Sequence, residues 1–106
     1  MFGFGKKKID KRAWAALVMG RPVSNPDALS VERLSAATSH LLPQLRDIVC
    51  ESVGIIQRTK NEDTRRERIE LCQRHLARME QIKPFANVEQ RAVIAQAESA
   101  FSTVRL

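Results

Sequence analysis

Apolar residues recur every three to four positions along three segments of the chain, which is the spacing of one face of an α-helix. At 3.6 residues per turn, each segment gathers its apolar side chains into one stripe. The stripes comprise Leu41, Leu42, Leu45, Ile48, Val49, Val53, Ile55 and Ile56 in the first, Ile69, Cys72, Leu76, Met79 and Ile82 in the second, and Val93, Ile94, Ala97, Ala100, Phe101 and Val104 in the third. Amphipathic helices with short connections bury such stripes most simply as an antiparallel bundle. The pattern therefore predicts a small all-α protein with three long helices.

The first long helix begins after Ser30, a residue type that caps helix N-termini, and extends to about residue 60. Pro43 lies inside this span. Because proline removes a helical hydrogen bond and disfavours helical geometry in the residue before it, two alternatives stay open. The segment forms either one helix with a kink or two helices over about 31–41 and 43–60.

The other two helices begin with the spacing of a capping box, in which a threonine or asparagine precedes glutamate or glutamine by three residues. The two pairs are Thr64 with Glu67 and Asn87 with Gln90. They predict helices over about 64–83, ending before Pro84, and over about 88–104.

The start of the chain has a different character. Residues 13–19, AWAALVM, are apolar on every side, and the helix-breaking sequence GRPVSNPD follows them. We expect residues 1–24 to form a basic arm, a short helix from about Lys8 and a linker, and residues 25–106 to form the bundle. A helix without a polar face must be covered, either by a groove of the bundle or by a partner. The candidate partner-binding residues are Trp14, Leu17 and Val18.

Charge is concentrated in the same segment. The whole chain carries a net charge of +6. Six basic residues and one acidic residue in 1–21 give this part +5, whereas twelve basic and eleven acidic residues in 22–106 give the remainder only +1. A clustered positive charge favours a polyanionic partner. The candidate polyanion-binding residues are Lys6, Lys7, Lys8, Lys11 and Arg12 in the arm, and Arg65, Arg66 and Arg68 in the third predicted helix.

Two alternatives to a protein partner follow from this charge. The arm could neutralise nucleic-acid phosphates, and Arg65, Arg66 and Arg68 could add to this contact. These arginines, however, alternate with acidic residues, which is typical of a solvated helix face of mixed charge. It could also bind an anionic membrane surface, with Phe2, Phe4 and Trp14 in the headgroup region. The apolar run is short for a secretory signal, and no cleavage site follows it. We expect a cytoplasmic protein, with peripheral membrane attachment as the alternative.

Residues that could carry chemistry are few. No nucleophile, base and orienting group form a recognisable set, and there is no Gly-rich phosphate loop. The pairs Asp47-x-x-Cys50 and Cys72-x-x-His75 have a spacing with which bundles bind metal ions. However, Cys72 lies in an apolar stripe, while Asp47 and Cys50 lie outside theirs. We therefore expect neither a disulfide nor a metal site, and no catalysis or cofactor.

The sequence thus predicts a non-enzymatic interaction protein, an adaptor or regulator, that binds a protein partner through its N-terminal apolar helix. Nucleic-acid binding and peripheral membrane binding are the alternatives. Self-association also stays open.

Overall fold

The computed structural model describes residues 10–106, and over this range the predicted all-α antiparallel bundle is confirmed. Four α-helices follow one another along the chain, and residues 10–106 contain no strand. Their bounds are Lys11–Met19 for α1, Val31–Arg58 for α2, Glu62–Ile82 for α3 and Val88–Phe101 for α4. Single turns of 3₁₀ helix, Pro26–Ala28 and Lys83–Phe85, precede α2 and α4.

The main core lies between the three long helices, with α2 packed against both α3 and α4. The predicted apolar stripes form most of it. Its buried members are Leu42, Leu45, Val49, Val53, Ile56, Cys72, Met79, Ile82, Ile94 and Ala97. Full burial of a leucine-sized side chain contributes about 1.5–3 kcal/mol, so this cluster dominates the stability of the bundle. Ile48 is an exception among the predicted core residues, since 37% of it is exposed at the edge of the α2 stripe.

Pro43 does not divide α2, which is continuous over 28 residues. A proline cannot donate to the carbonyl of the residue four positions earlier, here Ser39. A neighbouring polar network involves the same turn: the Gln90 amide nitrogen donates to the Ser35 carbonyl at 2.9 Å and to the Ser39 hydroxyl at 2.8 Å. Gln90 itself is buried. These bonds fix α4 against the turn of α2 that lacks a backbone donor.

The two predicted capping boxes have different outcomes. The Asn87 box is confirmed: its side chain accepts from the Gln90 amide at 2.8 Å, and the Gln90 side chain accepts from the Asn87 amide at 2.9 Å. The Thr64 box is wrong. Asn61 caps α3 by accepting from the Thr64 amide at 3.0 Å, so the helix begins two residues earlier. Asparagine is a stronger N-cap residue than threonine, and Asn61 precedes Thr64 in the chain, so α3 begins directly after Asn61.

Candidate functional site

Helix α1 packs across α2 and α3 and forms a second, smaller core at one end of the bundle. Asp10 caps the helix by accepting from the Ala13 amide at 3.1 Å. The buried members of this core are Trp14, Ala15, Val18 and Leu34. The bundle itself therefore covers α1. Of the two predicted covers for this apolar helix, a groove of the bundle or a partner, the structure shows the first.

Trp14 is the centre of this core, and only 2% of it is exposed. Its Nε1–H donates to the Thr38 hydroxyl at 3.0 Å, and that hydroxyl donates to the Leu34 carbonyl at 2.7 Å. The indole stacks on Phe85, with ring centroids 5.5 Å apart and planes inclined by 6°. A buried indole needs both an apolar surface and a partner for its N–H. Both are present here.

The C-terminal end of α1 is fixed by α3. Gly20 follows the helix with φ of 75°, a left-handed conformation that glycine adopts without strain. The Arg78 side chain donates from Nε to the Leu17 carbonyl at 2.8 Å and from Nη2 to the Val18 carbonyl at 3.2 Å. A guanidinium here satisfies carbonyls that a helix end leaves unpaired, and it complements the negative end of the helix dipole.

This packing changes the interpretation of the predicted partner-binding residues. Trp14 and Val18 are buried, and Leu17 is half-buried and packs against the main core. In the docked position they contact the protein's own helices, because an all-apolar helix gains more by burial in cis than by exposure to water. The side of α1 that faces solvent instead carries Arg12, Ala13 and Met19.

The arm cations are placed differently. Arg12 and Arg21 are exposed and Lys11 is half-buried, and none of them forms an ion pair with a residue in the range 10–106. Their positive charge is therefore not neutralised by the described part of the chain. Lys6, Lys7 and Lys8 lie outside the described residues.

The arginines of α3 are not brought together with Lys11 and Arg12, the predicted polyanion-binding residues of the arm that the structure describes. Arg65 donates from Nη2 to the Arg105 carbonyl, and Arg66 forms an ion pair with Asp63 at 3.4 Å. Arg68 is half-buried. Ten residues separate Arg68 from Arg78, which is about 15 Å along a helix. The cluster therefore lies toward the opposite end of α3 from the position where α1 docks.

Cysteine and histidine side chains form no reactive group here. Cys50 is exposed, Cys72 is buried, and both are free thiols. Burial raises the pKa of the Cys72 thiol, which makes it a poor nucleophile. Within residues 10–106, no three His, Cys, Asp or Glu side chains are grouped so that they could bind a metal ion. Over the same range, no helix is both long and apolar enough to cross a membrane.

Sequence reasoning missed the residues that hold α1. The one available signal was Thr38, a polar residue four positions after Leu34 on the side of α2 that is buried. A buried hydroxyl requires a hydrogen-bond partner, and the only tryptophan was an obvious donor. Nothing in the local sequence marks Arg78, since its partners are backbone carbonyls distant along the chain.

A scan of the chain against protein-family models found no match, and searches of curated proteins and of solved structures found no similar protein. The function must therefore be inferred from the chain's own geometry and charge.

Proposed function

We propose that this protein is a non-enzymatic binding protein whose α1 end engages a polyanion, namely nucleic acid. The observation that supports the proposal most strongly is that α1 is fixed to the bundle while Arg12 and Arg21 stay exposed and outside every ion pair among residues 10–106. The docked helix gives the cationic arm a fixed point of attachment. Residues 1–21 carry a net charge of +5, whereas residues 22–106 form a nearly neutral body with +1.

The charge is large enough to bind phosphates measurably. Six cations lie within the first 21 residues, Lys6, Lys7, Lys8, Lys11, Arg12 and Arg21. If all six contact phosphates, counterion release predicts an affinity for duplex DNA that falls about 10³-fold between 50 and 200 mM salt. Such binding carries little sequence specificity, because phosphate contacts position a protein without reading bases.

Five of the twelve bases of the bundle are less available for this role, because they contact other protein groups. Arg46, Arg66 and Lys83 form ion pairs at 3.0–3.4 Å. Arg65 and Arg78 donate to backbone carbonyls. A cation already bound to protein groups must lose those contacts to neutralise a phosphate. The arm therefore carries the nucleic-acid proposal, and the Arg65, Arg66 and Arg68 cluster contributes at most a weak secondary contact.

The test is the affinity for a labelled 20-base-pair duplex, measured by fluorescence anisotropy at several salt concentrations. The triple variant Lys6→Glu, Lys7→Glu and Lys8→Glu should lose at least 10²-fold in affinity at 50 mM salt. The matched control reverses three exposed bases of the body, Lys60, Arg74 and Arg91. It makes the same change in net charge and should retain most of the affinity. Equal losses in both variants would contradict the proposal, because they would indicate a response to net charge only.

An anionic membrane surface is the second candidate, and the observation that favours it is the pair Phe2 and Phe4 directly before the lysines. Aromatic side chains partition into the headgroup region while lysines meet anionic lipid. Vesicles with 30% phosphatidylserine, compared with neutral vesicles, distinguish the two candidates. Binding to these vesicles without binding to the duplex would replace the first proposal with the second.

A protein partner at Trp14, Leu17 and Val18 requires α1 to leave the bundle. That step loses the indole hydrogen bond, the stack on Phe85 and the Arg78 contacts. A partner that binds these side chains must therefore make contacts that compensate for the ones lost.

A further inference from the structure

A polar cleft lies where the C-terminal ends of α2 and α4 meet the first turn of α3, toward the opposite end of α3 from docked α1. Its volume is about 420 Å³, within the range of about 300–1,000 Å³ typical of ligand pockets. Ile56 of the main core and Val104, which packs against that core, form its apolar part. The charged residues that line it are Glu62, Arg65 and Arg105, which give the cleft a net charge of +1.

Arg65 is the half-buried charge of this cleft, and an uncharged group holds its guanidinium in place. It donates from Nη2 to the Arg105 carbonyl. Glu62 lies three residues earlier, a spacing at which opposite charges pair on a helix, but Arg65 forms no ion pair with it or with any other residue in the range 10–106. A guanidinium has five N–H donors, and the bond to the carbonyl uses one of them. The positive charge of Arg65 is therefore fixed in the cleft without being neutralised by the described part of the chain.

Two further donors line the same cleft. Arg105 is exposed and likewise forms no ion pair with a residue between 10 and 106. The Thr59 hydroxyl accepts from the Asn61 amide at 3.1 Å, which leaves its own proton available for an acceptor in the cleft. Together with Arg65, these residues offer three donor groups to one ligand.

Hydrogen bonds join the walls of the cleft. The Gln57 side chain donates from Nε2 to the Thr103 hydroxyl at 3.1 Å, which links α2 to the segment that follows α4. That hydroxyl in turn donates to the Ala100 carbonyl at 2.7 Å. The bond from Arg65 to the Arg105 carbonyl links α3 to the same segment. A site whose walls are in place before binding requires little additional ordering when a ligand enters.

These groups suit a phosphate monoester in particular. Its three terminal oxygens are strong hydrogen-bond acceptors, and its charge at pH 7 is about −1.5 to −2. Hydrogen bonds from a guanidinium to phosphate are charge-assisted and roughly twice as strong as those between neutral groups. A nucleic-acid duplex is too wide to enter the cleft and would have to draw Arg65 away from the Arg105 carbonyl, whereas a small ligand can reach Arg65 without breaking that bond.

We propose that this cleft binds a small phosphate monoester that carries an apolar group. The phosphate oxygens accept from Arg65, Arg105 and Thr59, and the apolar group rests on Ile56 and Val104. The site needs no residue of the arm, so it is separate from the proposed nucleic-acid contact.

The probe is phenyl phosphate, titrated into ¹⁵N-labelled protein and followed by the chemical shifts of the backbone amides. Benzylamine, which joins a similar ring to a positive charge, is the ligand control. We expect the shifts to concentrate at residues 56–65 and 103–105 and the affinity for benzylamine to be at least tenfold lower. Inorganic phosphate, which lacks the ring, should bind at least threefold more weakly than phenyl phosphate.

Variants of single charges test the assignment of residues. Arg65→Gln and Arg105→Gln should each weaken the binding of phenyl phosphate at least fivefold. Arg58→Gln is the matched control: it removes one positive charge at the same end of the bundle, but Arg58 lies over Gly54 and does not line the cleft. It should change the affinity less than twofold. Glu62→Gln removes the opposing charge and should strengthen binding at least twofold, a gain that damage to the fold would not produce.

No binding of phenyl phosphate, equal binding of benzylamine, equal effects of Arg65→Gln and Arg58→Gln, or no gain in Glu62→Gln would overturn the proposal. The triple variant Lys6→Glu, Lys7→Glu and Lys8→Glu should still bind phenyl phosphate, whatever its affinity for duplex DNA. Failure of the cleft proposal is therefore distinguishable from failure of the proposed function.

Discussion

At the scale of single residues, Trp14 contributes most to holding α1 on the bundle. Its ring is buried and stacked on Phe85, and its N–H donates to Thr38. Replacing a buried tryptophan by alanine costs about 3–5 kcal/mol. The second core has only four buried residues, so a loss of this size is comparable with all that holds α1 in place.

We therefore expect Trp14→Ala to release α1 while α2, α3 and α4 stay folded. Limited digestion with trypsin measures this, because the bonds after Lys11 and Arg12, in the first turn of α1, should become cleavable. The thermal transition followed by circular dichroism should persist, and Val88→Ala, which truncates an apolar residue that is 84% exposed on α4, should leave the digestion pattern unchanged. Loss of the whole cooperative transition would show instead that the two cores are not separable.

Arg78 acts on the other end of α1 through two hydrogen bonds to carbonyls. Hydrogen bonds from a charged group contribute about 1.5–3 kcal/mol, less where water can replace them. Arg78→Ala should lower the hydrogen-exchange protection of the α1 amides by about tenfold or more. Arg74→Ala removes an exposed arginine one turn earlier on the same helix and serves as the control. Equal protection in the two variants would contradict the role given to Arg78.

His75 lies three residues before Arg78, and its environment disfavours the charged imidazolium. Burial lowers the pKa of His75 first, and the positive charges of Arg78 and Arg74 lower it further. Because the folded-state pKa lies below the unfolded value of 6.5, unfolding takes up a proton as the pH falls below about 6.5. The contribution of neutral His75 to stability is thus present above that pH and decreases below it.

The prediction is that the free energy of unfolding in urea decreases from pH 7.5 to pH 5.5 and that His75→Gln reduces this decrease. The matched control is His40→Gln, which replaces an exposed histidine of α2. It should retain the wild-type dependence on pH. An unchanged pH dependence in His75→Gln would show that other groups account for it.

At the scale of the elements, the sequence correctly predicted those helix features that depend on contacts between residues close together in the chain. The Asn87–Gln90 capping box was predicted correctly because both of its hydrogen bonds are formed within four residues of chain. The start of α3 was predicted two residues late, because Asn61 precedes Thr64 and caps the helix first. The continuity of α2 through Pro43 could not be predicted, since the nearby polar network includes Gln90 of α4.

The position of α1 was also only partly predictable from the local sequence. Its all-apolar composition required a cover, and this was predictable from residues 13–19. The cover itself comes from Leu34, Thr38, Arg78 and Phe85, which are 16 to 71 residues away from the α1 side chains or carbonyls that they contact. Such contacts are set by the fold. The predicted partner residues Trp14 and Val18 became core residues for this reason.

At the scale of the whole molecule, two cores and an uneven charge define the organisation. The main core holds α2, α3 and α4 together, while the second core attaches α1 at one end. In the sequence, residues 1–21, which include α1, carry +5 of the total net charge of +6. The proposed nucleic-acid contact is argued from an α1 that is fixed to the bundle, so docking of α1 is the central claim.

Trp14 reports on this claim directly, because it is the only tryptophan and the chain has no tyrosine. The measurement is the emission spectrum of Trp14 in the isolated protein, together with quenching by iodide. With 2% of the residue exposed, we predict a blue-shifted emission that iodide hardly quenches. A red-shifted emission that iodide quenches freely would contradict the account, because it would show α1 undocked and Trp14 exposed to solvent.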